Sequence, residues 1–428
     1  MSSAVHATRH PVTTGKDISS TAFWAQSFEK RDETFAWLRE HAPVSWHEPA
    51  ETLAMTAEEH GEAGFWAVTR AADITYVSQN HSIFSSADEW GGVGFVPRPS
   101  FSGSGGEPNF LVMDPPNHTQ YRQVMSAAFT PKAVGRLSAK IAERAAQIVG
   151  GVVGAGEIDF VTGVAARLPM LTVADLIGVP ESLIEEFAHA GDNWINALNP
   201  EIVPAGKSPF EFMLEQQAIL RKIGVDLVDY RRKHPADDVA TALAGAEVDG
   251  RRITDDQIES IMVLLSIAGN DTTKQTTTLS TVSLWRNPDQ KARLMQDFDG
   301  RIASAIEEFV RHACPVLTFG RTATKDTEIH GVQVDRGDKL VLFYGSGNRD
   351  ESVFEDPHRF DLSRGRSPHV AFGGGGVHYC LGNGVAKAQL RALFSEILTK
   401  LPNMEVGEPE FSVNAEIRNV KRLPVRIP

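Results

Sequence analysis

The segment Phe372–Gly382 constrains the fold of this chain more than any other stretch, because it combines four consecutive glycines with one of only two cysteines. Glycines adopt backbone conformations that other residues disfavour, and they let the backbone approach another group closely. From Ala386 onward the sequence is rich in helix-forming residues. Cys380 is therefore predicted to lie in a loop just before a helix N-terminus, where the helix dipole and free backbone N–H groups favour a thiolate.

Three kinds of site suit a glycine-rich loop that precedes a helix. A cysteine nucleophile of a hydrolase needs a positioned histidine base, and His378 lies only two residues away, which is a poor position for that role. A phosphate-binding loop needs a Lys–Ser or Lys–Thr ending, which is absent here. An axial thiolate ligand of haem needs a sulfur on a glycine-flanked loop with a helix behind it. The third kind fits the segment best.

Composition excludes several other classes of protein. Two cysteines in 428 residues rule out a disulfide scaffold and a four-cysteine zinc site. A formal charge of −13 gives no electrostatic basis for binding a nucleic-acid backbone. No apolar run is long enough to span a membrane, and residues 1–16 lack the apolar core of a signal peptide. The sequence therefore predicts a cytoplasmic protein without a membrane anchor, in which Cys314 is a small buried hydrophobic residue.

Helical patterns dominate the middle of the chain, and short β-like runs appear near both ends. Phe65–Thr69 and Thr327–Phe343 have the composition and turn residues of strands and hairpins. The segment 88–108, rich in glycine and proline, is interpreted as a mobile lid. No linker or internal repeat divides the chain. We therefore expect a mainly helical fold with a minor β component, comprising a disordered tail at 1–20 and a single domain at 21–428.

Thr254–Arg286 is predicted to form the longest helix. Thr254 and Gln257 match a capping box, and Asn287–Pro288 ends the pattern. Its apolar face is interrupted at Ala268–Thr273, where a glycine, a carboxyl group and threonine hydroxyls would form a local groove with groups that handle protons. A solvated polar turn is the alternative interpretation.

The loop around Cys380 resembles the haem-binding loop of the cytochrome P450 family, and the resemblance covers nearly the whole chain. It implies a triangular prism of helices around haem b, with Cys380 as the axial ligand of the iron and Phe372 as the aromatic residue that shields the sulfur. The common bacterial form has one residue fewer between the aromatic residue and the cysteine. The four-glycine form resembles a bacterial subset that includes actinobacterial enzymes acting on sterols and branched lipids.

Further motifs agree with this resemblance. Glu308 and Arg311 match the family's structural Glu-x-x-Arg pair, whose third member is expected near Arg364 and His369. An isolated pair of this kind would more often be a surface ion pair. The segment 114–122 resembles the family's motif that opens a helix over the haem, where a histidine and an arginine would pair with a propionate. The resemblance implies that the following residues contact the cofactor: His118, Arg122, Ala268, Gly269, Arg321, Phe372, His378, Cys380 and Gly382.

Thr272 and Asp271 are the expected catalytic residues, since Ala268–Thr273 matches the family's oxygen-activation motif. The resemblance implies that the Thr272 hydroxyl holds a water and that Asp271 relays protons from solvent. The expected reaction inserts one oxygen atom of O2 into a hydrophobic substrate such as a sterol, terpenoid, branched lipid or aromatic compound. The residues expected to line the substrate pocket are apolar: Trp90, Phe95, Val96, Phe110, Leu111, Leu264, Val316, Leu317 and Phe319.

Electrons are expected to come from NAD(P)H through a ferredoxin reductase and a ferredoxin, because the chain leaves no room for a fused reductase domain. The ferredoxin would dock near Cys380 through local basic residues, namely Lys132, Arg136 and Lys387, despite the overall acidity. Two other functions stay open. One is a peroxygenase that uses hydrogen peroxide directly, and the other is a haem-thiolate protein that binds small molecules without oxidising them.

Overall fold

Helices account for most of the structure, a computed structural model that describes residues 13–51, 63–96, 107–195, 197, 202–248, 250–365 and 367–428. Within these residues a π-helical turn at Val161–Ala165 precedes α6. In chain order, helices α1 to α15 are Thr21–Trp24, Phe28–His41, Ala71–Gln79, Asn117–Ser126, Pro131–Gly150, Arg167–Ile177, Ile184–Ile195, Pro209–Lys233, Val239–Ala244, Asp255–Ala268, Asp271–Arg286, Pro288–Gln296, Phe298–Ala313, Tyr344–Gly347 and Asn383–Lys400.

The strands are short and form one larger sheet with several small ones. The five-stranded sheet has the order β1-β2-β10-β7-β3, in which β10 is parallel to β2 and antiparallel to β7. A three-stranded sheet joins β11, β14 and β4. The predicted mainly helical fold with a minor β component is confirmed. In chain order, strands β1 to β14 are Val44–His47, Phe65–Val68, Phe84–Ser85, Gly156–Asp159, Glu247–Val248, Arg251–Arg252, Thr318–Ala323, Thr327–Ile329, Val332–Val334, Lys339–Phe343, Glu405–Val406, Glu410–Phe411, Val420–Arg422 and Pro424–Ile427.

The predicted long helix is in fact two helices, α10 and α11, separated at Gly269 and Asn270. The predicted capping box at its start is present. At the break, the Asn270 N–H donates to the carbonyl of Ile267, three residues earlier, at 3.3 Å. The Thr272 hydroxyl donates to the carbonyl of Ala268 at 2.9 Å. The prediction of one unbroken helix was wrong, because the Asn270 N–H bonds three residues back instead of four, and this tighter turn interrupts the helical ladder.

The two halves of this broken helix lie at the centre of the helical packing. α10 packs against α7 and α8, and α11 packs against α13 and α15. α15, which begins three residues after Cys380, also packs along α5. The break and the cysteine loop are therefore both held by the same central group of helices. Among the described residues, no helix combines the length and the apolar character needed to cross a membrane.

Residues 13–20, which the sequence placed in a disordered tail, pack against the rest of the protein. Ile18 is completely buried, and its carbonyl accepts a hydrogen bond from the indole N–H of Trp24 at 3.0 Å. Thr13 forms a β-bridge with Trp46. The ordered part of the chain therefore begins before the predicted boundary at residue 20. The single buried apolar residue of this polar stretch, Ile18, helps to anchor the stretch to the domain. Residues 1–12 lie outside the described part of the chain.

The first part of the segment interpreted as a lid is anchored. The backbone N–H groups of Phe95 and Val96 donate to the carboxylate of Glu416 at 3.0 and 3.3 Å. The Gly320 N–H on β7 donates to the carbonyl of Val93 at 2.7 Å. These contacts anchor residues 93–96 in this structure, while residues 97–106 lie outside the described ones, so the mobile lid stays a prediction.

Candidate functional site

The four-glycine loop lies against the last turn of α3. Residues 373–376 all have positive φ angles, from +68° to +104°. A Cβ atom on Gly376 would lie 2.2 Å from the carbonyl oxygen of Ser78, and one on Gly375 would lie 2.9 Å from the side-chain amide of Gln79. Only glycine satisfies both the left-handed backbone and this close approach. The loop is closed where the Cys380 N–H donates to the Phe372 carbonyl at 3.0 Å.

Cys380 lies at the N-terminus of α15, as the sequence predicts. Gly382 is the N-cap residue of this helix. Burial raises the pKa of the Cys380 thiol, whereas the backbone N–H groups of Gly382 and Asn383 and the charges of Arg122 and Lys387 lower it. Burial outweighs the helix terminus, contrary to the expectation of a readily ionised free thiol. A coordinating metal ion, by contrast, deprotonates a thiol outright.

Cys314 occupies a structural position at the end of α13. It is completely buried and has a positive φ of 41°. The side-chain amide of Asn348 donates to its sulfur at 3.1 Å, and the sulfur contacts the carbonyl of Val316 at 3.3 Å. Burial raises the pKa of this thiol. The environment is that of an unreactive cysteine.

A group of basic side chains, of which His118 and Arg321 are buried, lies beside the cysteine loop. The rings of His118 and His378 are 4.3 Å apart. Burial lowers the pKa of His118 to about 4 and, together with the neighbouring Arg321, lowers that of His378 to about 2. Arg321 is itself buried, and its Nη1 donates to the carbonyl of Gly320 at 2.6 Å. Arg122 donates to the carbonyl of Tyr379, also at 2.6 Å.

Several polar atoms of this basic cluster have no hydrogen-bond partner among the described residues. They are both ring nitrogens of His118 and Nε2 of His378. Buried polar groups without partners cost about 1–3 kcal/mol each, so proteins rarely leave them unpaired. The cluster is therefore suited to an anionic group that accepts hydrogen bonds.

Three hydroxyl groups in the same region were missed by the sequence analysis. Those of Ser78, Ser86 and Tyr344 are buried; that of Ser86 has no partner among the described residues, whereas those of Ser78 and Tyr344 lie beside each other. Ser86 lies next to the basic cluster, because its N–H donates to Asp114 at 3.0 Å just before α4. Ser78 lies against Gly374 of the cysteine loop. Neither serine belongs to a recognisable motif, whereas a tyrosine at the end of a buried strand is a signal, since its hydroxyl needs a polar partner.

The break between α10 and α11 opens the central helix on one face. Ala268 is exposed and Thr272 is half-exposed, although residues 261–266 and 273–284 are all buried. Positions four apart lie on the same face of a helix. Gly269 faces the other way, because a Cβ atom there would lie 2.4 Å from Cγ2 of Val173 on α6. The alanine and the threonine therefore line the opening, and the glycine is required by helix packing.

Asp271 is buried beside a lysine and a second carboxylate. The Lys274 Nζ lies 2.6 Å from Oδ1 of Asp271 and 3.7 Å from Oδ1 of Asp192 on α7. The side-chain amide of Asn270 donates to the same Asp192 oxygen at 2.8 Å. Burial alone would lower the pKa of Lys274, but the two carboxylates raise it to about 12. The three-residue spacing to Asp271 could have indicated Lys274, whereas nothing in the sequence indicates Asp192.

Glu308 and Arg311 form a fully buried ion pair on α13. The Arg311 Nε lies 2.7 Å from one carboxylate oxygen of Glu308, and its Nη2 lies 2.8 Å from the other. Its Nη1 donates to the carbonyls of Asn348 and Pro357, both at 2.8 Å. The two residues thus join α13 to the segment that leads to the cysteine loop.

Of the two residues expected near this pair, Arg364 is the one that joins it. Its Nε donates to Glu308 at 3.4 Å, and its other nitrogens donate to backbone carbonyls. His369 instead contacts Glu307, the preceding residue, at 3.1 Å.

The apolar residues expected to line a pocket divide among separate clusters. Phe110, Leu111 and Leu264 pack in one cluster between α4, α6 and α10. The Phe110 ring lies 6.1 Å from that of His118. These three residues lie next to both the basic cluster and the broken helix.

The other expected pocket residues lie farther into the core or towards the surface. The Phe95 ring packs edge-on against Trp24 and Phe65, at 5.8 and 5.1 Å, and is completely buried. The Trp90 ring lies 5.5 Å from the guanidinium of Arg336. Phe95 therefore has the surroundings of an ordinary core residue. Val96 and Leu317 pack with the aromatic residues near the N-terminus. Val316 and Phe319 pack beside the five-stranded sheet.

The fold and the cysteine loop define a haem-thiolate protein, and comparison with known proteins agrees. The cytochrome P450 family profile matches residues 211–402. The methyl-branched lipid omega-hydroxylase of Mycobacterium tuberculosis is 35% identical over 416 residues, covering 96% of this chain and 94% of its own. The steroid C26-monooxygenase of Mycolicibacterium smegmatis is 33% identical, covering 92% and 90%. The chain belongs to the cytochrome P450 family.

A solved structure shows the same architecture. It is a Mycobacterium marinum cytochrome P450 in complex with pseudoionone, and it superposes with a TM-score of 0.91 at 43% identity, covering 96% of this chain and 98% of its own. The family and fold imply a haem whose iron is bound by a cysteine thiolate. The residues present fit that group, because His118 and His378 beside the cysteine loop have unpaired ring nitrogens, and a neutral imidazole can donate one N–H to a carboxylate of haem.

Proposed function

We propose that this cytochrome P450 monooxygenase hydroxylates an apolar substrate of the methyl-branched lipid or steroid type, with Cys380 as the thiolate ligand of its haem. The observation that carries the proposal is the position of the basic cluster, with its unpaired donors, directly beside the cysteine loop. The substrate class is supported by the activities named for the relatives. It is also supported by the apolar cluster of Phe110, Leu111 and Leu264 that adjoins the site.

The chain's own residues hold the cofactor from two sides. Haem supplies the activation of dioxygen when it is bound. Backbone N–H groups of Gly382 and Asn383 point to the Cys380 sulfur and stabilise negative charge on it. The side chains proposed to bind the propionates are His118, Arg122, Arg321 and His378, with Ser86 and Tyr344 as neutral donors.

Asp271 and Thr272 are proposed to move protons at the opening in the central helix. The Thr272 hydroxyl donates its proton to the Ala268 carbonyl, so its oxygen can accept a hydrogen bond from a water in the opening. Asp271 is held by Lys274, whose positive charge compensates the buried negative carboxylate. A proton taken up by Asp271 would pass to the water that Thr272 holds.

The proposed electron donor is a ferredoxin that docks on the face carrying Cys380. Lys132 is exposed at the start of α5, and the neighbouring Phe129 approaches Gly382. Arg136 is paired with Asp237 at 2.8 Å. Because this pairing neutralises much of the Arg136 charge, the exposed Lys132 is the residue that supports a basic docking surface at the N-terminus of α5.

The two cysteines provide the sharpest test of the haem assignment. The reduced protein is exposed to carbon monoxide, and the position of its Soret band is recorded. We expect the strongly red-shifted band of thiolate ligation in the wild type and in Cys314→Ala, and its loss in Cys380→Ser. A wild-type protein that retains haem but lacks the band would overturn the proposal.

The substrate class is tested by the spectral shift that accompanies substrate binding in the haem pocket. A methyl-branched fatty acid, a straight-chain fatty acid of the same length and a steroid are titrated in parallel. We expect the branched acid or the steroid to bind at least about 10-fold more tightly than the straight chain, which corresponds to about 1.4 kcal/mol. Equal affinities for the branched and the straight chain, with no shift by the steroid, would contradict the proposed class.

A further inference from the structure

A network of ionisable side chains lies behind the cysteine loop and takes no part in the proposed chemistry. Glu307 on α13 is its centre. One carboxylate oxygen lies 2.6 Å from the Lys387 Nζ on α15, and the other lies 3.1 Å from Nε2 of His369. The His369 ring is nearly buried, and the Lys387 and Glu307 side chains are about one-third exposed.

The two partners of Glu307 both contact Phe372. The Lys387 ammonium lies 5.3 Å from the centroid of its ring, and the His369 ring lies 5.6 Å away. Tyr379 approaches the same ring at 6.2 Å. Phe372 is thus surrounded by groups from both ends of the loop and from α15. A cation over an aromatic ring is attracted to the negative face of that ring.

The charge of Lys387 also lies close to the cysteine. Its ammonium is 5.3 Å from the ring of Phe372, whose carbonyl accepts a hydrogen bond from the Cys380 N–H at 3.0 Å. The hydrogen bonds from His369 and Lys387 lower the pKa of Glu307 to about 2. Glu307 is therefore ionised at neutral pH, where it binds the Lys387 ammonium.

We propose that Glu307 and Lys387 form a charge pair beside Phe372 that tunes the haem-thiolate site, in which Lys387 favours negative charge at Cys380 and Glu307 opposes it. The inference rests on the proposed function, which makes Cys380 the ligand of the iron. Reduction of the iron adds negative charge to the site. A nearby cation favours the reduced state and a nearby anion opposes it.

This assignment revises the role expected of Lys387 in docking. A lysine bonded to Glu307 is neutralised locally, so it contributes little to a basic surface for a ferredoxin. Its ammonium group lies over the Phe372 ring of the cysteine loop instead.

The experiment measures the reduction potential of the holoprotein at low ionic strength, where partly exposed charges are least screened. We expect Glu307→Gln to raise the potential, because it leaves Lys387 uncompensated, and Lys387→Met to lower it. The double variant removes one charge of each sign and should return close to the wild-type value. Raising the salt concentration should shrink both single shifts.

A second ion pair between the same helices provides the matched control. Arg391 lies one turn after Lys387 on α15, and it pairs with Asp299 on α13 at the surface. Asp299→Asn and Arg391→Met should leave the potential unchanged. Shifts of the same sign in Glu307→Gln and Lys387→Met, or no shift in either, would overturn the proposal. A wild-type protein without the thiolate Soret band would instead overturn the proposed function.

Discussion

Two buried polar clusters of this protein differ in how completely their hydrogen bonds are made. Around Glu308 and Arg311, charged atoms are bonded to one another and to backbone carbonyls, and none of their side-chain atoms lacks a partner. Beside the cysteine loop, the ring nitrogens of His118 and one of His378 have no partner among the described residues. The first cluster is complete as part of the fold. The second is complete only when a ligand supplies the acceptors.

The largest effect is expected where the closed cluster is broken. Glu308→Gln removes the negative charge that compensates Arg311 in a fully buried site. Loss of one partner of a buried ion pair typically costs about 3–5 kcal/mol. We expect that much loss in the free energy of unfolding, measured by denaturant titration of the holoprotein. A loss below about 1 kcal/mol would show that the pair is not needed for the fold.

A change in the open cluster should act on the cofactor rather than on the fold. His118→Phe removes one donor of the open cluster while retaining an aromatic ring of similar size. Hydrogen bonds to charged groups contribute about 1.5–3 kcal/mol, so haem should be lost at least about 10-fold faster to an acceptor protein. The exposed His234, which stacks on Tyr230, provides the control variant His234→Phe. Equal rates of haem loss in the two variants would remove the distinction between the clusters.

The open cluster also predicts a dependence of stability on pH. Burial lowers the pKa of His118 to about 4, so the unfolded chain binds a proton more readily than the folded one. Above the unfolded pKa near 6.5, His118 is neutral in both states and the folded state has its full stability. As the pH falls from there towards 4, only the unfolded chain takes up the proton, so the folded state loses stability. Haem-depleted protein should therefore lose stability over this range, and His118→Phe should lose less. Denaturant titrations at several pH values give the comparison, and identical profiles would contradict it.

The smallest effect on stability is expected for two threonines that make the same bond in different surroundings. Thr272 at the opening and the buried Thr276 each donate to the carbonyl four residues earlier, at 2.9 and 2.8 Å. Replacing either by alanine should change the free energy of unfolding by less than about 1.5 kcal/mol. Only Thr272→Ala should uncouple NAD(P)H consumption from product formation, with the haem retained. Full coupling in that variant, or equal uncoupling in both, would remove its catalytic role.

The sequence predicts those features that depend on neighbours along the chain. The capping box at Thr254, the position of Cys380 before α15 and the spacing of Glu308 and Arg311 are local patterns, and the structure places each as expected. Local spacing alone also predicts that Gly269 lies in a groove. The structure shows instead that Val173, on another helix, requires that glycine.

What the sequence could not predict depends on contacts between distant segments. Asp192 reaches the central helix only because α7 packs against α10. The choice of Arg364 over His369 depends on how the chain folds after β10, and both residues have suitable spacing. Burial of Cys380, which outweighs the effect of the helix terminus on its pKa, is likewise a property of the whole fold.

The pairing of β14 with β4 has a consequence for how the chain is made. Leu423 accepts a hydrogen bond from the Phe160 N–H at 2.8 Å, and its own N–H donates to Asp159. The two sides of this contact are 264 residues apart. During synthesis, residues 156–160 leave the ribosome long before their partners exist. Contacts between residues so far apart in the sequence slow folding, so this edge of the protein stays unpaired through most of translation.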